Sequence, residues 1–409
     1  MSYRENHDNP YIDIWLSSNI INKSFPALQL DLKSSGDILL NLVRYELGET
    51  EAKNRANFIN EINQQDFESL IINGHFNLAL NKINEKISTY PNKLACLPLW
   101  ILRIILCLRL KSINVVEEEI ENFSNFEYPE FYSDTPTQLP DIQHNNLVGT
   151  IVPFSFRILY ALFPAYKQDY EKAIKRLTGL LQEILQILSK LKTICDDKND
   201  IYYLNGIELW EERQRRVQYC LVACFVSNND YSTAFEVLTD LIEKSGFARN
   251  FEAKMQFSLY LIRILIQLGN LALAQKYLET LQELSTTFPQ NAGYIVLHQG
   301  LLYMAHNDFD RANTSFSEAI SLCPHLKPIA KNNISLSMLY IGKLKEAISL
   351  LETELEADPH VMMHECIIFN LCSMYELQSS NNIYYKRLLL QKVSRIKGDG
   401  FSPECFKLS

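Results

Sequence analysis

Cys220 and Cys224 stand four residues apart, a spacing that brings two side chains onto one face of a helix. His360 and His364 repeat that spacing within HVMMHE. Either pair could begin a zinc site, but tetrahedral coordination needs further ligands and neither stretch supplies them. The HExxH order of zinc hydrolases is also missing, so the readings adopted are packed thiols and helix-start histidines. Glu117, Glu118 and Glu119 could in principle supply an acid and a base, yet a run of carboxylates on one helix reads as a solvated face. Phosphate cradles need clustered glycines so that backbone amides can reach the anion, and neither GxxxxGK[ST] nor GxGxxG occurs. The serine elbow GxSxG is absent too. The chain therefore reads as a non-enzyme with no cofactor and no metal.

Arginines offer a different chemistry. In WEERQRRV, Arg213, Arg215 and Arg216 follow Glu211 and Glu212 at distances suited to ion pairs within one helix. That accounts for most of the pattern, and a basic contact point for a partner protein is the alternative, since arginine is enriched at interfaces.

These residues must be positioned by helices. From Asn291 to Pro324 the sequence follows the small/large pattern of a tetratricopeptide helix–turn–helix unit of about 34 residues. With Gly300 as the eighth position, Tyr303, Ala312, Phe316, Ala319 and Pro324 fall on the eleventh, twentieth, twenty-fourth, twenty-seventh and thirty-second. Gly300 and Ala312 let two helices approach while Tyr303 and Phe316 fill the space beside them. Asp308 can cap the second helix, and Pro324 ends it because it has no amide hydrogen to give. Ala79/Ile83, Ala234/Leu238, Ala274/Leu278 and Ala347/Leu351 fit the twentieth and twenty-fourth positions of other units. Pro289, Pro324 and Pro359 are 35 residues apart. The fold class expected is all-α, a tetratricopeptide-like helical-repeat solenoid (an α–α superhelix). In the clearest unit, Leu297 and Leu301 occupy the fifth and ninth positions, where a groove that captures a terminal carboxylate needs polar donors.

Composition agrees. Hydrophobic residues make up 47% of 409, enough for a large core, and glycine is scarce at 13 residues. A net charge of -9 disfavours nucleic acid or anionic lipid as a partner through bulk charge. The start, MSYRENHDNP, lacks the apolar core of a secretory signal, and the apolar run Leu94 to Leu110 is broken by Pro98, Arg103 and Arg109. No membrane insertion is expected. The nine cysteines show no disulfide framework and read as reduced thiols of a cytoplasmic protein.

In chain order, residues 1–36 read as an irregular arm and 37–124 as N-terminal helical pairs. Residues 125–150 form a Pro-rich loop, 151–397 the repeats (clearest at 291–359), and 398–409 a capping tail. Within 37–124, Asp37 is a candidate N-cap, and Phe58, Ile62, Leu70 and Ile71 are placed on one helix before a turn at Asn73-Gly74. Ile174, Leu177, Leu181, Ile184, Leu185 and Leu188 mark a long amphipathic helix ahead of the polar break 196–200.

Four stretches carry a family resemblance: PFSFRILYA from Pro153, WEERQRRVQY from Trp210, IFNLCSMYELQSS from Ile368, and KGDGFSPECFKLS at the end. Together they resemble the subunit-12 family of the transport protein particle (TRAPP) complex, a tetratricopeptide family. The resemblance runs from about Pro153 onward and more faintly back to the Phe58 region. It implies a non-catalytic subunit of the TRAPP III assembly, which promotes nucleotide exchange on a Rab-family GTPase in endoplasmic-reticulum-to-Golgi traffic and autophagy. The partners implied are the large subunits 11 and 8, with the GTPase met only through the complex, at the cytoplasmic periphery of Golgi membranes. Partner-contact candidates are Trp210, Arg213 and Arg216, with Phe401 and Phe406 in the tail. The competing functions are a peptide- or chaperone-binding adaptor and a helical-repeat enzyme with a groove site.

Overall fold

A computed structural model describes residues 37–89, 96–121, 153–198, 201–247, 251–285 and 291–408. The N-terminal arm, the Pro-rich loop, Pro289 and Ser409 lie outside the described residues. The helices are α1 (Ile38–Leu47), α2 (Glu49–Ile62), α3 (Phe67–Ile72), α4 (Phe76–Thr89), α5 (Leu97–Arg109) and α6 (Ile113–Glu121). Next come α7 (Phe154–Tyr166), α8 (Tyr170–Lys198), α9 (Ile201–Ser227), α10 (Tyr231–Phe247), α11 (Phe251–Gln267) and α12 (Leu271–Ser285). The last are α13 (Ala292–Ala305), α14 (Phe309–Leu322), α15 (Lys327–Tyr340), α16 (Leu344–Ala357), α17 (Pro359–Met362), α18 (Glu365–Gln378) and α19 (Asn382–Ser394). Among the described residues there is no strand.

One turn recurs along the chain. Gly74, Lys111, Gln168, Asn229, Gly269, Asn307 and Gly342 all adopt positive φ. In each case the next amide reaches back to a carbonyl five residues earlier, as in His75 to Leu70, Asp169 to Pro164 and Asp308 to Tyr303, at 2.8 to 3.0 Å. This closure satisfies carbonyls that a helix end leaves without partners. The residue making the bond then starts the following helix. Where it is Asp169, Asp230, Asn270 or Asp308, its side chain accepts from the amide three residues on.

Five residues after each positive-φ residue comes a small residue or valine, and four later a larger apolar one. Ala79/Ile83, Val116/Ile120, Ala173/Leu177, Ala234/Leu238, Ala274/Leu278, Ala312/Phe316 and Ala347/Leu351 are all at most 1% exposed. Such burial supplies most of what holds helix pairs together, roughly 1.5–3 kcal/mol for each large side chain. At Gly300 the approach is closest: a Cβ there would stand 2.5 Å from Cε1 of Phe316. The fold is all-α and built of tetratricopeptide-like helical repeats.

The described residues form two compact units, one within Leu80–Leu241 and the other made of residues 37–79 and 242–408. In the first, α7, α8 and α9 enclose a core that includes Phe154, Leu177, Ile184, Leu188, Trp210, Val217 and Leu221. Helix α8 runs through to Lys198, so the polar run 196–200 does not stop it at Asp196. Leu185, placed on its apolar face by sequence, is 46% exposed.

In the second unit, Leu39, Val43 and Ala52 share one core with Leu371, Leu390, Val393, Phe401 and Phe406. The stretch 37–124, read from sequence as one block, is thus divided, residues 37–79 packing with the C-terminal repeats. Asp37 caps α1 through Leu40 N at 3.0 Å. Phe58 and Leu70 lie on separate helices, α2 and α3, because Asp66 starts a new helix by capping Ser69 N at 3.1 Å.

Candidate interaction surface

Helix α9 carries the arginine-rich stretch. Trp210 is buried edge-on to Phe154, with ring centroids 6.1 Å apart. The Arg213 guanidinium is buried as well, 4.5 Å from the Trp210 ring and 4.8 Å from that of Phe154. A cation over aromatic faces replaces lost hydration with attraction to the ring quadrupoles. Glu211 pairs across to Lys192 of α8 at 2.9 Å rather than along α9. Of the three candidates on α9, Arg216 is the exposed one.

The two tail candidates are also inside. Phe401 and Phe406 are buried with their ring centroids 6.1 Å apart, within the core of the second unit. Pro403–Phe406 forms a 3-10 turn, and Lys407 follows at φ 51. Lys407 Nζ reaches Glu376 at 2.5 Å and Ser373 Oγ at 3.2 Å. Lys386, 2% exposed, donates to the other Glu376 oxygen at 2.6 Å and to the Lys407 carbonyl at 2.8 Å. These two ammonium groups hold the Glu376 carboxyl below its usual range.

The preceding residues meet the turn at Gly74. Asp399, 8% exposed, accepts from Phe76 N at 2.6 Å and Asn77 N at 3.0 Å, which caps α4. Gly400 N donates to Gly74 O at 3.0 Å. A Cβ on Gly398 would lie 2.1 Å from that same carbonyl oxygen, so only glycine fits. Burial pushes the Asp399 carboxyl up, against the opposing pull of the donors at Phe76 and Asn77. Burial and the charge of Arg55 push His75 down.

The groups singled out for chemistry fall on separate helices. Cys224 is buried, and burial with its neighbour raises the Cys220 thiol to about 11, far from a reactive thiolate. His360 lies within α17 and His364 at the start of α18. Among the described residues no group of three His, Cys, Asp or Glu side chains is placed to hold a metal ion. The three glutamates do not form a solvated face. Glu119 is 2% exposed and accepts from Arg103 Nε at 2.8 Å and Nη2 at 2.6 Å, and Asn84 Oδ1 takes Nη1 at 2.5 Å. Leu297 is buried and Leu301 packs beside it, so both belong to the core of the α13/α14 repeat.

What the second unit does present is an apolar end. Leu377 closes α18 65% exposed, and Ile383, Tyr384 and Leu388 are exposed along α19. Sequence reading missed this strip because α19 is basic and polar at intervening positions. Its signal was the i, i+1, i+5 spacing of Ile383, Tyr384 and Leu388.

The recurring turn, the small/large pairs and an exposed helix end define a helical-repeat protein of tetratricopeptide type. No protein-family model matches the chain. Among curated proteins it is similar to Trafficking protein particle complex subunit 12 of Homo sapiens, at 27% identity over 410 residues, covering 95% of this chain and 54% of that one. It is 29% identical over 321 residues to the Mus musculus protein of the same name, covering 76% of this chain and 39% of the relative. The chain thus spans about half or less of the length of these relatives. Among solved structures it is similar to a chain in the crystal structure of the APC/C hetero-tetramer Cut9-Hcn1. That match has a TM-score of 0.34 and 12% identity, covering 93% of this chain and 61% of that one. It is also similar to human IFIT1 in a dimer with m7Gppp-AAAA (TM-score 0.36, 12% identity, covering 90% and 84%).

Proposed function

We propose that the chain is a non-catalytic scaffold subunit of a trafficking protein particle complex. The observation that carries this reading is the similarity to subunit 12 along 95% of the chain. Stacked helix pairs support it, since such repeats offer long surfaces for binding proteins. The apolar strip at Leu377, Ile383, Tyr384 and Leu388 is the surface assigned to another subunit of that complex.

In its finer form, the proposal places the chain in the TRAPP III assembly. Subunits 11 and 8 are its neighbours, and its Rab-family GTPase is met only through the complex. Its work is then in endoplasmic-reticulum-to-Golgi transport and autophagy, at the cytoplasmic periphery of Golgi membranes. Among the described residues no helix is long and apolar enough to cross a membrane. Co-expression with subunits 11 and 8, followed by size-exclusion chromatography, tests this. Co-elution in one peak at moderate salt supports the placement, and separate elution with each protein folded contradicts it.

A further inference from the structure

We propose that residues 397–408 form a strap whose seating closes the α1–α2 pair onto the repeats, so that strap and pair open and close as one element.

Three independent contacts point to this. First, four of the recurring turns supply their own side-chain cap, but at Gly74 the cap position holds His75. The missing cap comes from the strap, through the Asp399 carboxylate on Phe76 N and Asn77 N. Second, Arg55 of α2, 2% exposed, donates to Ser394 O at 2.6 Å, to Lys397 O at 3.1 Å and to Asp37 at 2.8 Å. When the strap lifts, this buried guanidinium loses an acceptor while remaining charged, a costly state unless α2 moves with it. Third, Phe401 and Phe406 fill the same core as Leu39 and Val43 of α1. Removing the two rings uncovers the inner face of α1.

Each contact joins the strap to a different part of residues 37–79. Lifting the strap therefore withdraws support from the pair at three points at once, leaving it the Arg55–Ser394 bond and the packing of Leu39 and Val43 with Leu390 and Val393. At the outer seam the ion pairs Glu46–Arg387 at 3.1 Å and Glu51–Arg395 at 3.3 Å are made by arginines that stay exposed to solvent, which limits what each pair contributes.

Hydrogen exchange on the full chain, read by mass spectrometry, tests the coupling. Gly398→Ala puts a methyl group against the Gly74 carbonyl and unseats the strap. The expected result is exchange faster by on the order of tenfold in 38–62, at 76–77 and in 397–408 together, with α13 to α16 at the wild-type rate. Asp399→Ala removes the cap without adding bulk, and the same three segments should accelerate together by a smaller factor, which covers the case that Gly398→Ala does not fold. The proposal is overturned if 38–62 keeps its wild-type rate in Asp399→Ala while the strap exchanges faster. It is equally overturned if neither segment changes.

Discussion

Asp399 caps a helix that begins 323 residues earlier at Phe76, with 2.6 Å between its carboxylate and the Phe76 amide. Two opposing effects act on that carboxyl group. The amides favour its charged form, while burial disfavours it and wins, raising the pKa above the usual aspartate range. The folded chain therefore holds this proton more tightly than the unfolded chain. Its contribution to stability is fully present below the unfolded pKa and is lost as pH rises through the raised folded value. Asp399→Asn should flatten that part of the stability–pH curve. Urea unfolding of both proteins from pH 4 to 7 measures it, and parallel curves would contradict the assignment.

His298 works in the opposite direction. Its Nδ1–H donates to the Tyr294 carbonyl at 2.7 Å, and burial pushes its pKa down to about 4. The folded state keeps the ring neutral, so stability is lost as pH falls from the unfolded value of 6.5 toward 4. The loss amounts to about 3 kcal/mol at most. His298→Gln should remove this acid sensitivity, and chemical denaturation at pH 7 and pH 4.5 checks it.

Two glycine substitutions should fail for different reasons. Gly300→Ala drives a methyl into the fully buried Phe316 ring, at a cost of about 1–3 kcal/mol. Gly342→Ala meets no atom within 4 Å, yet its φ of +82 costs an L-residue roughly 1–2 kcal/mol. Combined in one chain, the two should add, because they strain unconnected features. Thermal melts of the singles and the double measure this.

In the first unit, Glu119→Gln should be more damaging than removing the whole ion pair. It takes the carboxylate charge away from the buried Arg103 guanidinium 2.6 Å away, a change that costs about 3–5 kcal/mol when a buried pair loses one partner, whereas Arg103→Met with Glu119→Leu should lose much less. The order of unfolding midpoints among the three proteins is the readout.

How much of this could be read in the sequence follows from how local each signal is. Turns at Asn229, Gly269 and Gly342 were legible because Asn and Gly favour positive φ. The same turn at Lys111 and Gln168 was not, since neither residue advertises that conformation. Val116/Ile120 and Ala173/Leu177 therefore went unrecognised as repeat positions. Glu119 looked solvated beside Glu117 and Glu118, and only the packing of α6 on α5 turns it toward Arg103. Arg213 suggested a partner surface, and Phe154, 59 residues earlier, is what draws it inward. The tail was legible as a separate element because repeat geometry does not require KGDGF. Its seat at Gly74 carries no local mark.

The most direct measurement is affinity purification of the tagged full chain from cytosol at moderate salt, with its stoichiometric companions identified. Recovery of trafficking protein particle subunits is the expected result, with loss of them in Tyr384→Asp while the chain stays folded. Recovery of the chain alone, or with chaperones only, would contradict it.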